Sequence, residues 1–235
     1  MISKKDAFIL KERVSAILNP DVHGENGYEV RSIYFDDPED TCYYTNLDGT
    51  DPRSKYRVRA YDGSDKYLVI EKKIKKNGMT AKLQREISLK EMDILMSDAV
   101  TPVFMAGDTG SAAREGRVKK ESKGDNDNDI FEELLVLKDI RLFRPKIVVS
   151  YKRIPFTEEN GNVRITFDDA IASTTDLSGF FESDLHAREV MPEDMTLMEV
   201  KFDEFLPEYI KEALECGTLN QTSFSKYAMC RRFYL

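Results

Sequence analysis

Polar and apolar side chains alternate with a period of two in three segments of the chain: KYRVRAY at 55–61, YLVIEKKIKK at 67–76 and LMEVKF at 197–202. Successive side chains of a strand leave on opposite faces, so residues i and i+2 share a face and stand about 7 Å apart. One face of these runs therefore carries Arg57 and Arg59, Glu71 and Lys73, and Glu199 and Lys201. The other carries Tyr56, Val58 and Ala60, then Leu68, Ile70 and Ile74, then Met198, Val200 and Phe202. Two arrangements explain such alternation. An antiparallel sheet with one wet side is the default; a barrel whose charges point inward would instead line a channel for a polyanion.

The rest of the chain completes an antiparallel pattern. A helix capped by Ser3 runs through KKDAFILKERVSAILN and stops at Asn19-Pro20. A strand follows at 28–36, then a short helix from Asp37-Pro38 toward Asn46 and a turn at Asp48-Gly49. Strands at 55–62, 66–76 and 79–89 are joined by Gly63-Ser64 and by Asn77-Gly78, the second being the stronger hairpin signal. Ser88-x-x-Glu91 is a capping box opening a helix over 90–99. Further helices are predicted over 129–143, 207–216 and 225–232, with strands at 145–156, 162–169 and 196–205. Residues 107–129 hold almost no bulky apolar side chains and cannot offset the entropy of ordering, which predicts a mobile insertion whose basic residues are solvated.

At 235 residues with 41% hydrophobic and 33% charged side chains, the chain reads as a single globular domain spanning 1–235. No apolar run reaches membrane-spanning length and the start lacks the long apolar stretch of a signal peptide, so a cytoplasmic protein is expected. Three cysteines without Cys-x-x-Cys spacing predict neither a disulfide framework nor a zinc site. Two histidines, both in loop-like segments, make a histidine metal centre or a Ser-His-Asp triad a poor fit, so any metal would be held by oxygen. A net charge of −8 argues against nucleic acid as a partner. The strands are nevertheless locally basic, and an acidic exterior around a basic interior reconciles the two.

The stretch SIYFDDPEDTCYYTNLDGTDPRSKYRVRAYDGSDKYLVIEKKIKKNG, followed in order by RPKIVVSYKRIPF, NVRITFDD, LMEVKFDEFLP and TSFSKYAMCR, resembles the VTC domain, a polyphosphate polymerase domain of the triphosphate tunnel metalloenzymes. The resemblance covers most of the chain. It implies an α+β fold built on a closed antiparallel β-barrel tunnel with flanking helices, and hence inward-facing charges. Relatives usually open with a strand before the first helix, whereas this chain is expected to begin at the helix itself.

Carried over by motif, the resemblance implies that phosphate is bound by Arg57 and Arg59, Lys73, Lys82 or Arg85 on the return strand, Arg153, Arg164, Lys201 and Lys226. Arg57, Arg59, Lys73, Arg153 and Lys201 are the expected catalytic group. It implies Mn²⁺ or Mg²⁺ held by Glu199 first and Glu71 second, Asp168 being a further candidate or only a turn residue. Tyr34, Tyr61 and Tyr151 read as core or rim packing. Two unit charges about 7 Å apart repel by roughly 2 kcal/mol at an effective dielectric near 20, so a tunnel of such cations is costly until an extended anion fills it. The implied reaction passes the γ-phosphate of a nucleoside triphosphate to inorganic polyphosphate. Its rivals are a metal-dependent tri- or polyphosphatase and a non-catalytic polyphosphate-binding module. Oligomeric state is left open by the sequence.

Overall fold

A computed structural model describes residues 1–21, 26–98, 129–217 and 219–235. The expected insertion at 107–129 lies, except for Asp129, outside them. The strands are β1 (Ile2–Ser3), β2 (Asn19–Pro20), β3 (Tyr28–Asp36), β4 (Arg53–Tyr61), β5 (Ser64–Lys76), β6 (Met79–Ile87), β7 (Arg144–Glu158), β8 (Val163–Thr174), β9 (Arg188–Glu189) and β10 (Met195–Lys201). The helices are α1 (Lys4–Ser15), α2 (Thr41–Leu47), α3 (Leu89–Met96), α4 (Ile130–Ile140), α5 (Glu208–Leu214) and α6 (Lys226–Arg231).

All the strands join one antiparallel sheet in the order β1-β10-β8-β7-β3-β4-β5-β6, with β2 pairing β7 and β9 pairing β8 off that path. The class is α+β, as expected, but the sheet is not closed into a barrel. Its end strands, β1 and β6, do not pair with each other among the described residues. A strand does precede the first helix, contrary to expectation, but it is only Ile2–Ser3, matched to Thr196 and Met195 of β10, before Ser3 caps α1.

Local chemistry accounts for the element boundaries. Ser88 and Glu91 form the capping box at α3. Asn77 and Gly78 both have positive φ, as a two-residue hairpin of the right twist requires, and they match Lys76 with Met79. Helix α1 ends at Ser15, earlier than predicted, because the chain turns at Leu18 to pair Asn19 and Pro20 with β7. Strand β10 stops at Lys201 rather than continuing to 205, since the Asp203 amide turns away to the Gly161 carbonyl.

The apolar face of the sheet is covered by helices. Ile33, Val58, Ile70 and Val148 belong to one cluster with Met92 and Leu95 of α3 and Leu134 of α4. Leu10 and Val14 of α1 and Ile210 of α5 cluster with Phe156, Ile165 and Phe167. Helix burial of this kind leaves the other face of the sheet to be explained.

Candidate functional site

Residues directly opposite in an antiparallel ladder project to the same face, so the register fixes which side chains share a surface. Lys201, Glu199 and Leu197 of β10 oppose Arg164, Thr166 and Asp168 of β8. Asp168 and Thr166 in turn oppose Arg153 and Pro155 of β7, and Arg153 opposes Tyr28 of β3. Further along β3, Ser32 and Tyr34 oppose Arg59 and Arg57. Arg57 opposes Glu71 and Lys55 opposes Lys73. Glu71 and Lys73 meet Gln84 and Lys82 of β6. One continuous face thus carries Arg57, Arg59, Glu71, Lys73, Lys82, Arg153, Arg164, Glu199 and Lys201.

Arg85 does not join them. It is matched to Ile70, on the helix-covered face, where it pairs with Glu91 and Asp129 and lies over the Phe131 ring. Of the two candidates on the return strand, only Lys82 shares the charged face.

That face is bent into a trough. Ser225 and Lys226 are adjacent in sequence, yet the Ser225 hydroxyl accepts from Lys55 on β4 while Lys226 pairs with Asp168 on β8 at 2.7 Å. Two strands, β7 and β3, lie between those partners in the sheet, a separation of about 14 Å if it were flat. Glu199 and Lys201 of β10 also act electrostatically on Lys73 of β5, far away in strand order. The charged face is therefore concave, with the segment before α6 strung across it.

Among the carboxylates on this face, Glu71, Asp168 and Glu199 sit in different circumstances. Glu71 is 3% exposed and contacts Arg57, Arg59 and Lys82. Burial pushes its carboxyl up, but Arg57, Arg59 and Lys82 outweigh this and hold it at about 2. Asp168 is fully buried and takes two parallel bonds of 2.7 Å from Arg153 as well as the Lys226 ammonium. Desolvation is again outweighed by these cations, which keep it ionised. Glu199 is different. Among the described residues it pairs only with Lys201, at 3.3 Å, and its side chain remains 39% exposed.

Aromatic rings form the floor. Tyr34 accepts from Arg57 at 3.0 Å and stacks on Tyr227 with centroids 4.8 Å apart. Tyr151 lies under both Arg153 and Lys226 and receives a long 3.4 Å contact from Arg59. Burial raises the Tyr151 hydroxyl pKa, but the cations Arg59, Arg153 and Lys226 lower it overall. Tyr34 and Tyr151 are thus part of the cationic surface rather than packing residues alone. Arg164 stands toward one end, bonded to Asp21 and Tyr28. Lys55 was missed by motif matching, although its spacing of two from Arg57 placed it on the same face.

The sequence profile of the VTC domain matches residues 1–234. The chain belongs to the VTC domain family. No curated protein sequence matches it. Among solved structures, the fold is similar to one from Bacillus halodurans assigned provisionally as an adenylate cyclase, at 12% identity and a TM-score of 0.45, covering 91% of this chain and 81% of that one. A likeness that loose carries no argument about chemistry.

In this VTC domain no cluster of three or more His, Cys, Asp or Glu side chains converges among the described residues. Magnesium and manganese accept one or two carboxylates and fill the remaining positions with water and phosphate. Glu199 fits that role: Glu71 and Asp168 are enclosed by close cations, whereas Glu199 is at ion-pair distance from Lys201 alone among the described residues and stays 39% exposed. Directly opposite it stands Thr166, whose buried hydroxyl has no hydrogen-bond partner among the described residues. No helix is long and apolar enough to cross a membrane among those residues.

Proposed function

We propose that this VTC domain is a phosphotransferase that passes the γ-phosphate of a nucleoside triphosphate to an inorganic polyphosphate lying in the trough. The observation that carries this reading is the common face of Arg57, Arg59, Lys73, Lys82, Arg153 and Lys201, whose charge Glu71, Asp168 and Glu199 neutralise only in part. An extended phosphate chain supplies the missing negative charge along the whole surface. Arg59 is suited to grip it: its contacts to Glu71 and Tyr151 are long, at 3.5 and 3.4 Å, and its buried Nε is unpaired among the described residues. Donors held in place without strong partners need little rearrangement to bind an oxyanion.

Phosphoryl transfer asks a protein mainly for alignment and charge neutralisation. The terminal oxygen of a phosphate chain is already anionic and attacks the γ-phosphorus without a general base. A new P–O bond forms as the bond to the β–γ bridging oxygen breaks, and the nucleoside diphosphate leaves with that oxygen. Arg57, Arg59 and Lys73 would hold the reacting phosphates, while Arg153, fixed by Asp168, and Lys201 would neutralise the neighbouring groups. Mn²⁺ or Mg²⁺ held by Glu199 would add positive charge at the phosphate oxygens.

Incubation of the purified chain with ATP and Mn²⁺ tests this reading. Acid-labile phosphate chains are the expected product. Orthophosphate alone would indicate a tri- or polyphosphatase, and tight polyphosphate binding without any product would indicate a binding module.

A further inference from the structure

Lys226 reaches the trough from a helix that cannot hold itself in place. Helix α6 has six residues, and an isolated helix of that length is unstable in water. Residues 219–225, which lead into it, form neither helix nor strand. Where the Lys226 ammonium stands is therefore set by what α6 is fastened to.

Two carboxylates fasten it, both from the segment that joins β3 to α2. Asp36, the last residue of β3, accepts from the Tyr227 hydroxyl at 2.7 Å. Asp40 accepts two parallel bonds of 3.0 Å from the Arg231 guanidinium. Tyr227 and Arg231 are four residues apart and so share one side of α6, one turn above the other. The two carboxylates are four apart as well, and each takes one rung.

Asp36 is the more telling of the pair. It is fully buried, and a carboxylate taken out of water is costly unless it is hydrogen-bonded. Three of its bonds come from the amides of Asp37, Cys42 and Tyr43, which close the turn into α2. The fourth, from Tyr227, joins segments 191 residues apart. The Tyr227 ring also lies on Tyr34, whose hydroxyl accepts from Arg57. Next to Tyr227 in sequence, Lys226 meets Asp168 at 2.7 Å and stands over the Tyr151 ring.

We infer that Asp36 and Tyr227 are positioning residues for Lys226: their bond fixes the first turn of α6 and thereby the place of the ammonium in the trough. Asp40 and Arg231 fix the next turn. The inference rests on the trough taking condensed phosphate, and it assigns a role to residues outside the motif-derived set. A bond that served packing alone would raise stability without setting how well Lys226 meets an anion.

The test is a double-mutant cycle on the full chain, read by calorimetric titration with tripolyphosphate in the absence of metal. Tyr227→Phe removes one hydroxyl and keeps the ring, while the Tyr234 bond to the Ser173 carbonyl still ties down the chain end. Lys226→Met is expected to weaken binding about tenfold, as loss of one charge-assisted contact does. Tyr227→Phe is expected to weaken it about threefold. The double variant is expected to bind as Lys226→Met does, because once the ammonium is gone its placement no longer matters. Wild-type affinity in Tyr227→Phe, or losses that multiply in the double variant, would overturn the positioning role and leave the trough reading intact. Absence of tripolyphosphate binding to wild type would overturn both. Should Tyr227→Phe misfold, Arg231→Lys, which keeps the charge and cannot make two parallel bonds, enters the same cycle, and multiplying losses there also overturn the inference.

Discussion

Arg153 and Asp168 face each other across β7 and β8, joined by two bonds of 2.7 Å in a fully buried setting. The same carboxylate also binds Lys226, so one anion orients two cations, one from β7 and one from the start of α6. Asp168→Asn would leave those cations without their counter-charge. Loss of one partner from a buried ion pair costs about 3–5 kcal/mol. The expected outcome is a lowered unfolding midpoint in urea together with weakened tripolyphosphate binding. Wild-type values of both would remove Asp168 from its positioning role.

Glu71 predicts a pH dependence of stability. Its folded value of about 2 lies below the ordinary 4.5, so it stabilises the fold above pH 4.5 and that contribution disappears as pH falls toward 2. The size is on the order of 3 kcal/mol. In Glu71→Gln, denaturation midpoints at pH 7 should fall, and the stretch of the stability profile between these pH values should flatten. Added tripolyphosphate should restore much of the loss by neutralising Arg57, Arg59 and Lys82 in place of the carboxylate. A profile that keeps its wild-type slope would count against this assignment.

Arg59→Met tests phosphate recognition. Arg57 and Lys82 still flank Glu71, but removing one of its three cations should also lower stability, by about 1–3 kcal/mol. Affinity for tripolyphosphate, measured by calorimetry, should fall tenfold or more, since a charge-assisted bond is worth about 1.5–3 kcal/mol. A variant that binds as wild type does would show that the buried face does not meet the ligand there.

Glu199→Gln separates metal-dependent turnover from binding. Glu199 is partly exposed and, among the described residues, ion-paired only with Lys201, so its loss should leave the fold close to wild type and metal-free tripolyphosphate affinity unchanged or higher. Mn²⁺-dependent product formation should drop by roughly a hundredfold, as expected for loss of several kcal/mol of charge stabilisation. Unchanged turnover would exclude it as the carboxylate that holds the ion.

Much of this arrangement was legible in the sequence because strands obey a simple period. The alternation in KYRVRAY and YLVIEKKIKK marked the charged face, and β3 was delimited to the residue. Even the choice of Lys82 over Arg85 was available: a two-residue turn at Asn77-Gly78 matches Lys76 with Met79, and counting back matches Lys73 with Lys82 and Ile70 with Arg85. What could not be read depends on long-range geometry. The register shift between Ser150 and Lys152, with Ala170 at positive φ opposite it, determines that Ser150 meets Ala172, whereas Arg153 and Asp168 are matched by the hairpin register that begins at Glu158 and Val163. The placement of Lys226 depends on how α6 docks, and barrel closure on whether distant strands meet. None of these leaves a local pattern. Lys55 carries no motif of its own, and only its match with Lys73 across the ladder makes it unusual.

The Asn77-Gly78 hairpin has a consequence for how this domain can change. Every cation on β5 and β6 owes its side of the sheet to odd or even position relative to that turn. Deleting one residue from either strand would carry the downstream half of the hairpin through half a turn, sending ammonium groups under α4 and greasy side chains into the trough. Losing two together would preserve the parity and merely shorten the wall.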